Sequence, residues 1–492
     1  MRKSLCLMGL MGLMGLIAAV LLGTGTLRAQ VQLSKLVEGF VKVSAPAVAL
    51  QHVRVIDGTG AAPAEDQTVV IANGRIRSVG SAASTTPPPG AQALDLSGYT
   101  VIPGLVGMHD HLFYPSQLAE RASSGPVVLY NEMGFSFPRL YLAGGVTSLR
   151  TTGSVEPYTD LSLKKLIDRG ETPGPRLHIT GPYLEGPGAY TPNMHELADA
   201  DDAARTVNYW ASEGVTSFKA YMHITRAELK AAIEAAHAGG IKVTGHLCSI
   251  GFTEAAALGI DDLEHGLFVD TEFDPGKQPD VCPSQQLTGE TMAKLDVESA
   301  PVQNMIRELV SRHVAVTSTL PVFEISVPGR PPLQARVLDA LSAPARIDYL
   351  TIRALVGQRE HSNALTNLGK EMQFERDFVQ AGGLLLAGLD PTGYGGVVAG
   401  FGDQREVELL VQAGFSPLEA IHIATQNGAQ FLGEADQIGT VAPGKMADLV
   451  VIHGNPAANI EDIEKVEIVF KDGVGYDSAK LIESARGAVG LR

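Results

Sequence analysis

Six residues of this chain have types and spacings that could do chemistry together. "GMHDHLFY" places His109 and His111 two apart. In an extended strand, residues i and i+2 share a face, so both imidazoles point one way and Asp110 the other. "KVTGHL" ends in His246, "DDLEHG" in His265 and "LLLAGLDP" in Asp390, while "GVTSFKAYM" carries Lys219 inside an apolar run. A lone strand-end histidine is more often structural than a ligand. Four imidazoles, a carboxylate and a lysine, each where an apolar run stops, form a donor set suited to Zn²⁺ or a similar transition metal. Lys219 is the odd member, because a buried ammonium without a partner is costly or loses its proton. A salt bridge or a stem that reaches water is the ordinary explanation for such a lysine.

The elements that must position these residues alternate along the middle of the chain. Apolar strands are expected at "VIPGLVGMH", "GGVTSLR", "RLHITG", "GVTSFKAY", "IKVTGHL", "GIDDLEHG", "VAVTSTL" and "GGLLLAGLD". Between them, "ADDAARTVNYWASEG", "TRAELKAAIEAAHAGG" and "QREVELLVQAGF" have apolar residues at helical spacing. Eight strands with intervening helices predict an α/β fold, a parallel (β/α)8 TIM-like barrel over residues 101–435. All six candidate residues then fall at the C-terminal ends of strands, where such barrels place their sites. An open doubly wound sheet is the alternative, but no strand is followed by a G-x-G-x-x-G loop opening a helix. Residues 48–100 and 436–492 differ in character. They hold short alternating runs broken by turns, with Asn73-Gly74 as a hairpin signal.

Composition narrows the function classes. The chain has 492 residues, 45% hydrophobic and 19% charged, with a net charge of −16. Residues 1–29 carry Arg2 and Lys3, an apolar run, and Ala29 before Gln30, the pattern of a secretory signal peptide. The alternative is an uncleaved anchor, since the run is long enough to span a bilayer. The body is therefore expected to be secreted or periplasmic, or tethered by its N-terminus, with no other membrane segment. Loss of residues 1–29 removes Arg2, Lys3 and Arg28 and no acid, leaving 35 basic against 54 acidic residues, a net of −19. That argues against a nucleic-acid partner and says little about substrate. "SLKK" (Ser162 to Lys165) matches S-x-x-K by chance, and neither a G-x-S-x-G nor a P-loop is present.

On the motifs "VIPGLVGMHDH", "FKAY", "VTGH", "LEHG", "AGLD" and "IGTVAPGKMADLVVI", the chain resembles the amidohydrolase superfamily over about residues 48–475. The members most similar are prolidase-like and aryldialkylphosphatase-like. The resemblance implies a small β-sandwich built from both chain ends, residues 48–100 and 436–492. It also implies two divalent metal ions, Zn²⁺ being the expected identity. His109, His111 and Asp390 would hold the more buried ion, and His246 and His265 the more exposed one. Lys219, carbamylated by CO2, would bridge them together with a hydroxide, which removes the burial problem because the group is then anionic. Many relatives read Arg-Asp after the second strand, whereas this chain has Arg150 followed by Thr151.

The expected activity is therefore hydrolysis of amide or peptide C–N bonds in small substrates such as dipeptides or N-acyl amino acids, with Asp390 as the proton carrier. The alternatives are a single-metal deaminase, a cyclic amide or imide hydrolase, and an inactive scaffold. Candidate substrate contacts are Arg150, Tyr183, Tyr221, His223 and Tyr394. Glu185 shares the loop of Tyr183, and Glu264 is a candidate for orienting a ligand or facing a helix. Cys248 and Cys282 are either a disulfide or two free thiols. The stretch after strand six, residues 266–290, is a candidate lid. The sequence leaves a homo-oligomer open.

Overall fold

The computed structural model describes residues 32–116, 128–189 and 191–491, so the expected leader at 1–29 lies outside the described residues. Six strands come first: β1 (Val41–Val43), β2 (Ala47–Val55), β3 (Ala64–Ala72), β4 (Arg75–Ser81), β5 (Gln92–Asp95) and β6 (Tyr99–Pro103). Asn73 and Gly74 turn β3 into β4 with φ of +54° and +75°, the left-handed pair that a two-residue hairpin demands.

Next come β7 (Leu105–Asp110), the hairpin β8 (Phe113–Ser116) and β9 (Leu129–Glu132), then β10 (Val146–Thr151) and β11 (Arg176–His178). They are followed by β12 (Ser217–Ala220), β13 (Lys242–Gly245), β14 (Asp262–Glu264), β15 (Ala315–Ser318) and β16 (Leu385–Ala387). All eight strands expected from the apolar runs are present. They form two parallel sheets, β11-β10-β7 and β12-β13-β14-β15-β16. Backbone contacts join the sheet ends. A parallel bridge links Thr180 to Ser217, and the Asp390 N–H donates to the His109 carbonyl at 3.0 Å.

Helices return the chain between strands, and local chemistry sets their ends. Asp199 caps the helix Ala200–Glu213, and Gly214, at φ +100°, ends it. Thr225 and Glu228 form a reciprocal capping box at the start of Arg226–Ala238. The parallel strands are buried along almost their whole length, which is why they read as continuous apolar runs rather than alternating ones.

The chain then adds β17 (Leu449–His453), β18 (Val466–Lys471) and β19 (Val474–Asp477). These enter the first sheet in the order β1-β19-β18-β17-β6-β2-β3-β4, with β5 beside β2. The nine-stranded sheet thus takes strands from both ends of the chain, and its own core includes Val48, Val69, Val101, Leu449 and Phe470. Among the described residues, no helix is long and apolar enough to cross a membrane.

Candidate metal centre

The C-terminal ends of five of these strands, β7, β12, β13, β14 and β16, bring the six candidate residues into one cluster. His109 lies in β7 and His111 just beyond it. A β-carbon at Gly388 would sit 2.4 Å from the His109 backbone nitrogen, so the glycine of "AGLD" lets β16 pass directly against β7. His265 and Asp390 both have left-handed backbones, φ +70° and +48°. Such strain in non-glycine residues collects at functional sites.

The ligand atoms of His109, His111 and Asp390 all lie within 4.8 Å of one another, and all three residues are buried. Asp390 Oδ1 is 3.5 Å from His111 Nε2, while Oδ2 is 3.8 Å from His109 Nε2 and 3.9 Å from His265 Nε2. The His246 ring centroid lies 4.5 Å from that of His265. Lys219 Nζ sits 3.1 Å from His109 Nε2.

Three of the other ring nitrogens are tied down. His109 Nδ1 lies 2.7 Å from Glu264 Oε2, and His111 Nδ1 3.2 Å from the Gly153 carbonyl. Both partners only accept, so the proton is on Nδ1 and the Nε2 lone pairs face the cluster. His265 Nδ1 pairs with Thr319 Oγ1 at 2.6 Å. Burial, reinforced by Lys219, pushes the His109, His111 and His246 imidazoles well below their usual range. Burial and the neighbouring His109 and His246 do the same to His265. Neutral imidazoles are what a metal requires. Burial brings Lys219 down to about 8 and raises Asp390 to about 6. Asp390 Oδ1 and His265 Nε2 are buried without a hydrogen-bond partner. Inward lone pairs, an orphaned carboxylate oxygen and an orphaned imidazole nitrogen fit a divalent cation.

The remaining candidates divide. Tyr183 and Tyr221 are at the site. Their rings lie 4.9 Å apart and 5.5 and 5.6 Å from Lys219 Nζ, and Tyr221 lies 4.8 Å from the His246 ring. His223 follows closely, its backbone N–H donating to Glu185 Oε1 at 2.6 Å and its Nδ1 3.4 Å from Oε2.

Arg150 is a correction. Expected to reach substrate, it is buried beneath the cluster. Its guanidinium donates to the Met108 carbonyl, to Asp262 Oδ2 at 2.9 Å and to Glu264 Oε1 at 3.0 Å. Thr151 accepts from the Thr180 N–H at 2.9 Å and ties β10 to the segment after β11. Tyr394 is likewise occupied elsewhere, its hydroxyl donating to the Ile325 carbonyl and its ring stacked 6.0 Å from that of Tyr349. Asp110, expected to face away, is buried beside Asp403, and burial pushes its carboxyl well above the usual range.

The stretch after β14 is pinned rather than free. Cys248 and Cys282 form a disulfide. Lys277 Nζ donates to the carbonyls of Ser249, Gln278 and Val281, and Arg226 pairs with Asp280 at 3.0 Å. Its last part is the start of a helix, Gln285–Lys294, capped by Ser284. Two contacts were not legible beforehand: Thr319, a polar residue in an apolar run, and Phe113, whose ring stacks on His111 at 4.3 Å.

The buried histidine and carboxylate cluster at the ends of the parallel strands of this α/β fold could hold a divalent metal. The Amidohydrolase family model matches residues 100–308 and 356–474, two thirds of the chain, and the chain belongs to that family. A dihydroorotase from Pelotomaculum thermopropionicum is 23% identical over 403 residues, 79% of this chain and 84% of that protein. A crystal structure of a Xaa-Pro dipeptidase with bound methionine is 20% identical, with a TM-score of 0.65, over 88% of this chain and 100% of that one. A bottromycin amidohydrolase is 20% identical, with a TM-score of 0.65, over 93% and 97%. These structural likenesses establish a shared fold.

Proposed function

We propose that the protein hydrolyses amide or peptide C–N bonds of small substrates, such as dipeptides or N-acyl amino acids, using two divalent cations, zinc being the expected identity. The observation that carries this reading is the convergence of the His109, His111 and Asp390 ligand atoms within 4.8 Å, with the outer histidine nitrogens already anchored. The fold reading that goes with it is a closed (β/α)8 barrel over 101–435 flanked by the chain-end β-domain. His109, His111 and Asp390 would hold one cation, His246 and His265 the other, and carbamylated Lys219 both. Bound cations of this kind activate water near neutral pH and polarise a carbonyl.

The chain's own residues do the rest. Lys219 must be an unprotonated amine to attack CO2, and its fall to about 8 makes that form accessible. Asp390 accepts the proton of the attacking water as oxygen bonds to the carbonyl carbon. It returns that proton to nitrogen as the C–N bond breaks. Tyr183 and Tyr221 wall the space beside Lys219 and keep water out of it. The expected export of the chain is supported by the Cys248–Cys282 disulfide, a bond favoured in oxidising compartments.

The test is a screen of purified protein against dipeptide and N-acyl amino acid panels, with metal content per chain and chelator controls. Cleavage abolished by chelator and restored by Zn²⁺, with two metals per chain, is expected. Absence of cleavage by fully metal-loaded protein overturns the reading. A second reading, a cyclic amide hydrolase, is favoured by the dihydroorotase relative, so cyclic amides and imides belong on the panel.

A further inference from the structure

The helix Ala200–Glu213 carries Trp210, the only tryptophan in the sequence. Its ring lies between two tyrosines, with centroids 4.8 Å from Tyr158 and 5.3 Å from Tyr209. The hydroxyls of those tyrosines are hydrogen-bonded to each other, which fixes the cluster. Trp210 and Tyr209 form one wall of a cavity of about 490 Å³, with Val155, Met194 and Thr206 also lining it. That volume is in the range of small-molecule sites and exceeds what one amino-acid side chain fills.

Tyr183 also lines this cavity and lies beside the candidate metal centre. Its ring centroid is 6.3 Å from that of His111 and 5.5 Å from Lys219 Nζ. A β-carbon on Gly153 would lie 2.5 Å from the Tyr183 ring, so only glycine lets the ring lie flat on that backbone. The Gly153 carbonyl is the acceptor for His111. Tyr183 therefore adjoins both the cavity and a candidate ligand.

The electrostatics select the occupant. The basic side chains at the cavity, Arg205 and His195, both face Asp202, at 3.1 and 3.4 Å. Both are turned to that carboxylate, and Val155, Pro157, Pro182, Met194 and the aromatic rings make most of the remaining lining aromatic and apolar. We propose that this cavity is a second subsite of the active centre and receives a bulky, uncharged aromatic group of the substrate, joined across Tyr183 to the bond that is cleaved. The term substrate rests on the proposed function, while binding of an aromatic group here does not.

Because Trp210 is the sole tryptophan, its emission reports on this cavity. The full chain, metal-loaded, is titrated with phenylacetate and with acetate. Phenylacetate should bind at least ~10-fold more tightly, the increment expected from burying a ring, and should shift or quench the emission. Acetate should leave the emission unchanged. Thr206→Arg, which fills the cavity from the helix surface, should weaken phenylacetate at least ~10-fold while far-ultraviolet dichroism stays native. Equal affinities, a silent tryptophan, or an unaffected Thr206→Arg protein would each overturn the subsite. If amides are cleaved but the emission is silent, the subsite alone fails. If phenylacetate binds as described but no amide is cleaved, the hydrolase reading fails and the aromatic site stands.

Discussion

His109 Nδ1 lies 2.7 Å from Glu264 Oε2, and the other oxygen of the same carboxylate takes Arg150 at 3.0 Å. The histidine that faces the metal centre is thus held by an acid that is itself held by a buried arginine. Glu264→Gln keeps the shape but weakens the acceptor that fixes the tautomer. It should lower metal affinity about 10–100-fold, read by competition with a chelating dye. Arg150→Met should instead act on the fold. It leaves Asp262 and Glu264 as uncompensated buried acids, a loss of about 3–5 kcal/mol in denaturant unfolding.

Asp390→Asn removes the proton acceptor and weakens a ligand at constant size. kcat should fall at least about 10²-fold, the scale of a general acid–base group. Near-normal turnover in fully metal-loaded variant would remove Asp390 from proton transfer.

Lys219→Ala and Lys219→Arg should both lose metal. Neither can become a carbamate, and the arginine keeps a fixed positive charge among would-be cation ligands. Short carboxylic acids should restore part of the metal content of the alanine variant by supplying the missing oxygens. If the arginine variant holds two metals per chain and turns over normally, Lys219 is an ordinary buried base and the single-metal alternative becomes the better account.

The Cys248–Cys282 bridge closes a loop with a sequence separation of 34. Replacing both by serine should cost about 3–4 kcal/mol on the loop-entropy scale. Thiol titration of unreduced, denatured protein should find neither cysteine reactive, and two reactive thiols at these positions would contradict the bridge.

Glu375, in the helix Ala364–Gln380, is buried, and burial raises its carboxyl to about 8. The folded protein therefore holds a proton that the unfolded chain releases near its ordinary value of about 4.3. A raised carboxyl contributes stability that is present at low pH and drains away as pH climbs towards 8. Glu375→Gln cannot lose that proton. The melting temperature of the variant relative to wild type should rise between about pH 5 and about pH 8.5. A difference that stays flat across that window would show that Glu375 is ionised throughout.

The gathering of the six candidate residues was legible in the sequence because each sits where an apolar strand stops, and strand ends are a local property. The two misplaced residues failed for non-local reasons. Arg150 is in a strand, and whether its long side chain turns towards substrate or under the ligands depends on Asp262 and Glu264, more than a hundred positions away. Tyr394 follows Asp390 by four residues, but Gly393 and Gly395, at φ +62° and +93°, redirect the chain between the site and Ile325. The Trp210 cavity was hidden differently. Its residues read as an ordinary amphipathic helix, and only the packing of Tyr183 on Gly153 connects that helix to the histidines. The Asn73-Gly74 hairpin was visible, whereas the insertion of β17 between β6 and β18 was not, because pairing across the whole chain leaves no local mark.

That insertion sets a timetable for the newborn chain. β6 ends at Pro103, and its antiparallel neighbour β17 begins only at Leu449. At ~5–20 residues per second, roughly 20–70 s of translation separate the two. Throughout that interval one edge of β6 has no native partner, and a bare edge is a template for the wrong strand. Slowing the ribosome between these two strands lengthens that exposure and should lower the yield of folded protein more than slowing it before β6 is made.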